Sequence, residues 1–279
     1  MGETFRAACI IGWPAGHSRS PMIHNYWIRQ YGIAGEYRRE AVPPPEFAGF
    51  VSRLAERGYV GANVTLPHKE AALALSQPDD RAQAVGAANT LWLENGVLHS
   101  TNTDVEGFVE NLDACAPGWE RGLDVALVLG AGGAARAVVF GLLARGAGRV
   151  CVVNRTIERA EAIAVRFGAR VTAVCWRDVA GHLRDTNLLV NTTSLGMAGQ
   201  PELDVDLAGL GADAIVADIV YTPLETSLLR AARRRGLRIA DGLGMLLHQA
   251  VRGFSLWFGV RPEVTGELRA LLEADLIKA

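Results

Sequence analysis

A glycine-rich turn between a predicted strand and a predicted helix constrains the fold of this chain most strongly. In the run VALVLGAGGAARAVV, Gly130, Gly132 and Gly133 follow an apolar strand-like segment and open an apolar helix. Gly130 permits a tight turn, Gly132 lets the backbone approach a pyrophosphate, and Ala135 occupies the third motif position, where alanine is tolerated. The helix N-terminus offers N–H groups to phosphate. With a second strand at 150–154, the segment predicts a dinucleotide site; the alternative is a turn that serves only helix–sheet packing.

The segments around this turn predict an open parallel sheet. Further strands are expected near 170–175, 187–191, 214–221 and 237–240, with helices between most of them. Six strands connected by crossover helices are typical of a doubly wound α/β domain.

The first hundred residues predict a smaller, mixed sheet. We expect strands at 7–13, 36–42 and 61–64, a helix at 20–32 capped by Ser20, and a helix around 45–57. Asn95-Gly96 lies between two alternating runs and suits the type I′ turn of an antiparallel hairpin. The hairpin is what makes this sheet mixed.

Two features predict a two-domain α/β protein. A helix at 105–114 leads through the polar stretch APGWERGLD into the first parallel strand, which favours a boundary near 105–120. A helix predicted at 245–259 is apolar on most sides and needs a surface to pack on, so we expect it to return to the first domain. The predicted division is a discontinuous substrate-binding domain, 1–104 plus 246–279, and a dinucleotide-binding domain, 105–245.

The composition excludes several classes of partner. A net charge of −2 over 279 residues gives no reason to expect nucleic acid or an anionic membrane. The histidines are scattered and the cysteines have no metal-ligand spacing, so we expect no metal. Free thiols in a reducing compartment and an N-terminus without an apolar signal core predict a cytoplasmic protein. The cysteines are Cys9, Cys115, Cys151 and Cys175.

The end of the second parallel strand indicates which dinucleotide binds. An acidic residue there would accept hydrogen bonds from the ribose and select NAD. Here the residues are Asn154, Arg155 and Thr156. An arginine can hold a 2′-phosphate through two parallel hydrogen bonds, which favours NADP. The alternative is that Arg155 is simply solvated at the start of a helix.

Lys69 and Asp104 are the candidate catalytic residues. A positioned cation and a carboxylate beside a nicotinamide cofactor are what carbonyl reduction needs. Asn63 and Thr65 lie just upstream of Lys69, at the carboxyl end of a buried strand, where α/β sheets bind ligands. The alternatives are a solvated helical lysine and an aspartate that caps the helix after it.

The chain resembles the shikimate dehydrogenase family over nearly its whole length. The blocks that carry the resemblance occur in order along the sequence: IGWPAGHSRSPMIHN, GANVTLPHKEAA, GAANTL, STNTDVEGF, GAGGAARA, NRT, NTTSLGM, DIVYTPLET and DGLGMLLHQA. So many ordered matches are far more specific than the glycine pattern alone.

The resemblance implies NADPH-dependent reduction of 3-dehydroshikimate to shikimate, with Lys69 and Asp104 as the catalytic pair. It implies substrate contacts from Ser18, Ser20, Asn63, Thr65, Asn89, Tyr221 and Gln249. It implies that Gly130, Ala131, Gly132, Gly133 and Ala134 hold the pyrophosphate, that Asn154, Arg155 and Thr156 hold the adenosine phosphate, and that Ile219 and Gly242 lie near the nicotinamide. Arg19 departs from the apolar residue usual in the family between the two serines.

Two other functions are open at this point. One is an NAD-dependent quinate/shikimate dehydrogenase, against which Asn154-Arg155 and the paired serines argue. The other is a non-catalytic NADP-binding homologue, which should have lost Lys69 or Asp104, whereas this chain retains both. We expect a small-molecule substrate and a monomer or homodimer.

Overall fold

The computed structural model describes residues 5–278, which separate into two compact units. Unit one comprises the described residues up to Thr103 together with Gln249–Asp275. Unit two comprises Asp104–His248 and the described residues from Leu276 on. The assignment of these units as substrate and cofactor domains stays a prediction, and each unit is described by itself.

Unit one contains a six-stranded sheet in the order β2-β1-β3-β5-β6-β4. Its strands are β1 (Arg6–Gly12), β2 (Gly35–Ala41), β3 (Tyr59–Val64), β4 (Gln77–Pro78), β5 (Thr90–Glu94) and β6 (Val97–Thr101). β1 is parallel to β2 and β3, whereas β5 is antiparallel to both β3 and β6. The predicted mixed sheet is confirmed.

The hairpin between β5 and β6 has the predicted turn. Asn95 (φ 50°) and Gly96 (φ 79°) are both left-handed, and Glu94 pairs with Val97 across the turn. Positive φ at both central residues is what a type I′ turn requires.

The helices of the first hundred residues are α1 (Ser20–Gln30), α2 (Phe47–Val51), α3 (Lys69–Ala74) and α4 (Asp80–Val85). The predicted cap by Ser20 is wrong, because Ser20 is already helical; the Ser18 hydroxyl instead accepts from the Ser20 N–H at 3.3 Å. The predicted helix at 45–57 is also wrong in extent. A 3₁₀ turn (Pro44–Glu46) precedes α2, and i→i+3 hydrogen bonds such as Arg53 N–H to Phe50 C=O follow it.

Unit two contains six parallel strands in the order β12-β11-β10-β7-β8-β9. They are β7 (Val125–Leu129), β8 (Arg149–Asn154), β9 (Val171–Cys175), β10 (Leu188–Asn191), β11 (Ile215–Asp218) and β12 (Arg238–Ala240). The strand predicted at 214–221 is shorter, because the Asp218 carboxylate accepts a hydrogen bond from the Val220 N–H and turns the chain.

The remaining helices are α5 (Asp104–Cys115), α6 (Gly133–Ala144), α7 (Ile157–Phe167), α8 (Val179–His182), α9 (Ser227–Arg234), α10 (Gly242–Phe258) and α11 (Gly266–Lys278). The helix predicted at 245–259 therefore begins earlier, at Gly242. The Asp241 carboxylate accepts from the Gly244 N–H at 3.0 Å, which satisfies one of the unpaired donors of the first turn.

Two apolar cores cover the two faces of the parallel sheet. Along β7, Ala126 and Val128 belong to the core that includes α5 and α6, while Leu127 and Leu129 belong to the core that includes α9. This alternation follows from the two-residue period of a strand. Burial of both faces explains why β7 is apolar at every position, and it confirms the doubly wound fold class.

A cluster of aromatic rings surrounds His24 in the core of unit one. The imidazole is fully buried and stacks on the Tyr37 ring at 4.2 Å, with Trp27, Phe254 and Trp257 within 6.0 Å between ring centroids. Neither ring nitrogen has a hydrogen-bond partner among the described residues. Burial lowers the pKa of His24 to about 3, partly offset by the neighbouring Asn63 side chain.

The depressed pKa of His24 predicts that its burial destabilises the fold in acid. Below about pH 6.5 the unfolded chain protonates this histidine while the folded chain does not, so stability falls as the pH falls toward 3. His24→Phe retains the ring stacking and removes the titration. We expect the difference in unfolding free energy between pH 7 and pH 5, measured with urea, to shrink by about 2 kcal/mol in this variant. An unchanged difference would show that His24 titrates equally in both states.

Candidate functional site

The change from parallel to antiparallel pairing gathers polar residues at one edge of the unit-one sheet. Because β5 runs against β3, Asn63 near the end of β3 pairs with Thr90 at the start of β5. Asn89 precedes β5, and its carbonyl accepts from the Val64 N–H at 2.7 Å. Two asparagines that are 26 residues apart in sequence thus become neighbours.

The Asn63 amide is held by hydrogen bonds on both of its ends. Its Oδ1 accepts from the Tyr37 hydroxyl at 2.7 Å. Its Nδ2 donates to Thr90 Oγ1 at 3.1 Å and to the Asn89 carbonyl at 3.3 Å. The carbonyl can only accept, so the nitrogen must face Asn89 and the oxygen must face Tyr37. The side chain is buried and its orientation is fixed.

Thr103 positions the Asn89 side chain. Its N–H donates to Asn89 Oδ1 at 2.8 Å, and its hydroxyl lies 3.4 Å from Oε1 of Gln249 on α10. All three side chains are buried. The structure therefore brings the predicted residues Asn63, Asn89 and Gln249 together around Thr90 and Thr103.

The segment that carries Ser18 and Ser20 is held by two arginines. The Arg39 guanidinium donates to the Ser18 carbonyl at 2.8 Å. Arg19 pairs with Asp275 of α11 through a 2.9 Å contact, and its other end donates to the His17 carbonyl. The unusual Arg19 is thus paired with a carboxylate rather than packed among apolar groups.

Thr65 and Lys69 follow β3. The Thr65 N–H donates to the Ile11 carbonyl at 2.9 Å, which continues the β1–β3 pairing. Lys69 is the first residue of α3, and its carbonyl accepts from the Ala88 N–H at 2.9 Å, next to Asn89. Its side chain is half-buried. Seven predicted site residues lie in unit one: Ser18, Ser20, Asn63, Thr65, Lys69, Asn89 and Gln249.

Sequence reasoning missed Tyr37, Thr90 and Thr103. Tyr37 belongs to β2, whose polar alternation predicts a strand but does not mark one residue as part of a site. Thr103 stands inside the conspicuous polar run STNTD, so its burial and its contact with Asn89 were open to prediction.

The glycine turn of unit two has the geometry that its sequence predicts. Gly130 has φ +106°, and a Cβ there would lie 2.7 Å from Thr192 Oγ1. Gly132 is exposed, and a Cβ there would meet nothing within 4 Å. α6 begins at Gly133 without a side-chain cap, which leaves the N–H groups of its first turn for an anion. These residues fit a dinucleotide pyrophosphate.

The end of β8 presents an arginine to solvent. Asn154 donates through Nδ2 to the Thr156 carbonyl at 2.8 Å, which folds the chain into the start of α7. Arg155 between them is exposed. A guanidinium in this position is available to a phosphate at the carboxyl edge of the sheet.

A buried carboxylate organises the end of β11. Asp218 accepts hydrogen bonds from Asn191 Nδ2 at 2.9 Å, the Val220 N–H at 3.0 Å and the Thr226 hydroxyl at 2.7 Å. Burial nevertheless raises the pKa of Asp218 to about 6, because these hydrogen bonds only partly offset the desolvation. The next residue is Ile219.

Gly242 lies against the Ile219 segment. A Cβ on Gly242 would come within 2.3 Å of the Ile219 carbonyl oxygen, so only glycine fits there. The two residues predicted near the nicotinamide are therefore neighbours in unit two. Tyr221, half-buried, follows two residues after Ile219.

Asp104 is the first residue of α5 and belongs to unit two. Because Asp104 is itself helical, the alternative in which it is the N-cap of α5 is wrong. The N-cap position lies one residue earlier in the chain. An acidic side chain in the first turn still interacts favourably with the helix dipole.

Comparison with known proteins identifies the family. The shikimate dehydrogenase substrate binding domain matches residues 10–91, the shikimate/quinate 5-dehydrogenase domain matches 122–198, and the shikimate 5′-dehydrogenase C-terminal domain matches 242–272. A protein of Rhodopseudomonas palustris (strain TIE-1) named shikimate dehydrogenase (NADP(+)) is 65% identical over 99% of both chains. The chain belongs to the shikimate dehydrogenase family. The predicted resemblance is confirmed.

Solved structures of this family share the fold. Shikimate 5-dehydrogenase from Thermus thermophilus, in complex with NADP(H) and shikimate, is 35% identical with a TM-score of 0.84, over 98% of this chain and 99% of that one. Quinate dehydrogenase from Corynebacterium glutamicum, in complex with NAD, is 31% identical with a TM-score of 0.89, over 97% and 100%. Within residues 5–278, no group of three or more potential ligands could hold a metal ion. No helix in that range has the length and apolar character to cross a bilayer.

Gly130→Ala and Gly132→Ala should separate folding from dinucleotide binding. Gly130→Ala combines a left-handed backbone with a close contact and should lower the unfolding free energy by about 2–4 kcal/mol. Gly132→Ala meets open space, so its unfolding free energy should stay within about 0.5 kcal/mol of wild type. It should nevertheless bind NADP⁺ at least about 10-fold more weakly, because in the predicted binding mode the added methyl group would occupy the path of the pyrophosphate.

Gly146→Ala is the matched control, since Gly146 has φ +88° and open space around it. It should cost about 1 kcal/mol of stability and leave NADP⁺ binding unchanged. Urea unfolding and fluorescence titration with NADP⁺ measure both quantities. Wild-type NADP⁺ affinity in Gly132→Ala would contradict the assignment of this turn to the pyrophosphate.

Proposed function

We propose that this chain catalyses the reversible NADPH-dependent reduction of 3-dehydroshikimate to shikimate, a step of aromatic amino-acid biosynthesis. The observation that carries the proposal is the 65% identity, over 99% of both chains, to a shikimate dehydrogenase (NADP(+)). An assay of NADPH oxidation with 3-dehydroshikimate, run beside quinate with NAD⁺, tests it. Turnover of quinate with NAD⁺, without any NADPH oxidation in the presence of 3-dehydroshikimate, would refute the proposal.

The substrate is a carboxylate with several hydroxyl groups, and the polar edge of unit one offers matching groups. Ser18 and Ser20 bind the carboxylate in this proposal. The other side chains that contact its carboxylate or hydroxyls are Asn63, Thr65, Asn89 and Gln249 of unit one and Tyr221 of unit two. Asn63 and Asn89 support it best, because their orientations are already fixed by Tyr37 and Thr103. A preorganised site loses little entropy on binding.

NADP is the proposed cofactor. Gly130–Ala134 bind its pyrophosphate, and Asn154, Arg155 and Thr156 bind the 2′-phosphate. Ile219 and Gly242 line the nicotinamide. The open space at Gly132, the uncapped start of α6 and the exposed Arg155 support this assignment.

Lys69 and Asp104 have the acid–base roles. When bound, NADPH supplies the hydride that reduces the ketone. Lys69 donates a proton to the carbonyl oxygen of the substrate. Asp104 accepts a hydrogen bond from the hydroxyl that forms. In the oxidative direction Lys69 accepts the proton that the substrate hydroxyl loses.

An NAD-dependent quinate/shikimate dehydrogenase is the second candidate, and the similarity to a quinate dehydrogenase in complex with NAD favours considering it. Asn154 and Arg155 argue against it, because neither would repel the 2′-phosphate of NADP. A non-catalytic homologue is a third candidate, against which the retention of Lys69 and Asp104 argues. A cytoplasmic location and a monomeric or homodimeric state stay predictions.

Lys69→Ala should lower kcat for shikimate oxidation by about 10²- to 10⁴-fold, with little change in the KM for shikimate. The reason is that proton transfer contributes to the transition state and not to ground-state binding. Steady-state kinetics at saturating NADP⁺ measure both constants. A wild-type kcat in this variant would remove Lys69 from the mechanism.

Arg155→Ala should weaken NADPH binding by about 1.5–3 kcal/mol, because it removes a charge-assisted hydrogen bond to the 2′-phosphate. NADH lacks that phosphate and should be nearly unaffected. Arg149→Ala is the matched control, since Arg149 is an exposed arginine at the opposite end of the same strand. KM values for both cofactors measure the effect. Equal losses for NADPH and NADH would mean that Arg155 supports the fold instead.

A further inference from the structure

The Tyr37 hydroxyl lies between two side chains that the proposed function assigns to the substrate. It donates to Asn63 Oδ1 at 2.7 Å, and the Ser20 side chain is its other polar neighbour. The Tyr37 main chain is fixed in turn by Asn25 of α1, whose side chain accepts from the Tyr37 N–H at 2.9 Å and donates to its carbonyl at 2.8 Å. The phenol therefore has a defined place and a defined direction.

The surroundings of Tyr37 keep its phenol protonated and pack its ring on the buried His24 imidazole. Burial raises the pKa of this tyrosine well above its usual value, so the hydroxyl remains a donor throughout the working pH range. The ring stacks on His24 at 4.2 Å with an interplanar angle of 14°. His24 stays neutral because burial lowers its pKa to about 3, and a neutral imidazole stacks without a buried charge.

The hydrogen bonds of Asn63 determine what it can still offer to a ligand. Both hydrogens of Nδ2 are directed at protein acceptors, Thr90 Oγ1 and the Asn89 carbonyl. Oδ1 accepts one hydrogen bond from Tyr37 and has a second lone pair. In this orientation Asn63 can receive a hydrogen bond from a substrate hydroxyl but has no hydrogen left to donate.

We propose that Tyr37 is a positioning residue that holds Asn63 as a hydrogen-bond acceptor for a hydroxyl group of the substrate. Without the phenol, Oδ1 loses the hydrogen bond from Tyr37, and the amide is held only through the two contacts of Nδ2 with Thr90 and Asn89. This inference rests on the proposed function, because it takes a polyhydroxylated substrate to be bound at Asn63.

Tyr37→Phe removes only the hydroxyl. We expect the KM for shikimate to rise on the order of 10-fold while kcat changes less than about 3-fold, because the contact is made equally in the ground and transition states. The KM for NADP⁺ should stay within about 2-fold. Tyr59→Phe is the matched control. Tyr59 is a buried tyrosine of the same sheet, and its hydroxyl donates to Glu40 rather than to a residue that is proposed to bind substrate. It should leave the KM for shikimate unchanged.

A double-mutant cycle with Asn63→Ala separates positioning from general structural damage. If Tyr37 acts through Asn63, Tyr37→Phe should add less than about 2-fold to the KM for shikimate in the Asn63→Ala background. A full additional effect there, or an equal rise in KM in Tyr59→Phe, would overturn the inference. Wild-type enzyme that does not oxidise shikimate with NADP⁺ would instead refute the proposed function, and the inference with it.

Discussion

Two buried asparagine side chains, Asn63 near the end of β3 and Asn89 just before β5, impose the strictest requirement on unit one. Asn63 and Asn89 are almost fully buried, and an unpaired polar group there would cost about 1–3 kcal/mol. Asn63 is hydrogen-bonded to Tyr37 from β2 and to Thr90 from β5. Asn89 is hydrogen-bonded to Thr103, which follows β6. The pairing of β3 with the antiparallel β5 places Thr90 and Asn89 within reach of Asn63, and the pairing of β1 with β2 brings in Tyr37. The polar site and the mixed topology of the sheet thus depend on each other.

Unit two is constrained at its loops by glycines that allow close packing and by one buried carboxylate, rather than by asparagine side chains. At Gly130 and Gly242, neighbouring backbone or threonine atoms come so close that no side chain fits. At Asp218, one buried carboxylate accepts three hydrogen bonds and holds the segments after β10 and β11 together. Glycines allow the chain to approach a ligand or another loop closely, while the carboxylate fixes where the loops begin.

Local sequence rules predicted those parts whose cause is local. The turn at Asn95-Gly96 and the turn at Gly130 need left-handed backbone, which few residues adopt, so the sequence identifies them directly. The prediction of a helix over 45–57 is wrong because turns with i→i+3 hydrogen bonds replace the helix after Val51. No residue in that segment strongly signals the end of the helix. Tyr37 could not be found from sequence, because its role comes from the pairing of β1 with β2 and from packing on α1.

Arg19 shows how an unusual residue is tolerated inside a sequence block that the family shares. A charged side chain in an apolar position would destabilise the loop if it stayed there. Here it pairs with Asp275 of α11, and Arg39 holds the Ser18 carbonyl independently of the side chain at position 19. The main-chain position of Ser18 is therefore set by Arg39, and that of Ser20 by the start of α1. The Arg19 side chain adds two further contacts to this segment, with Asp275 and with the His17 carbonyl, so its charge is paired within the loop that carries both serines.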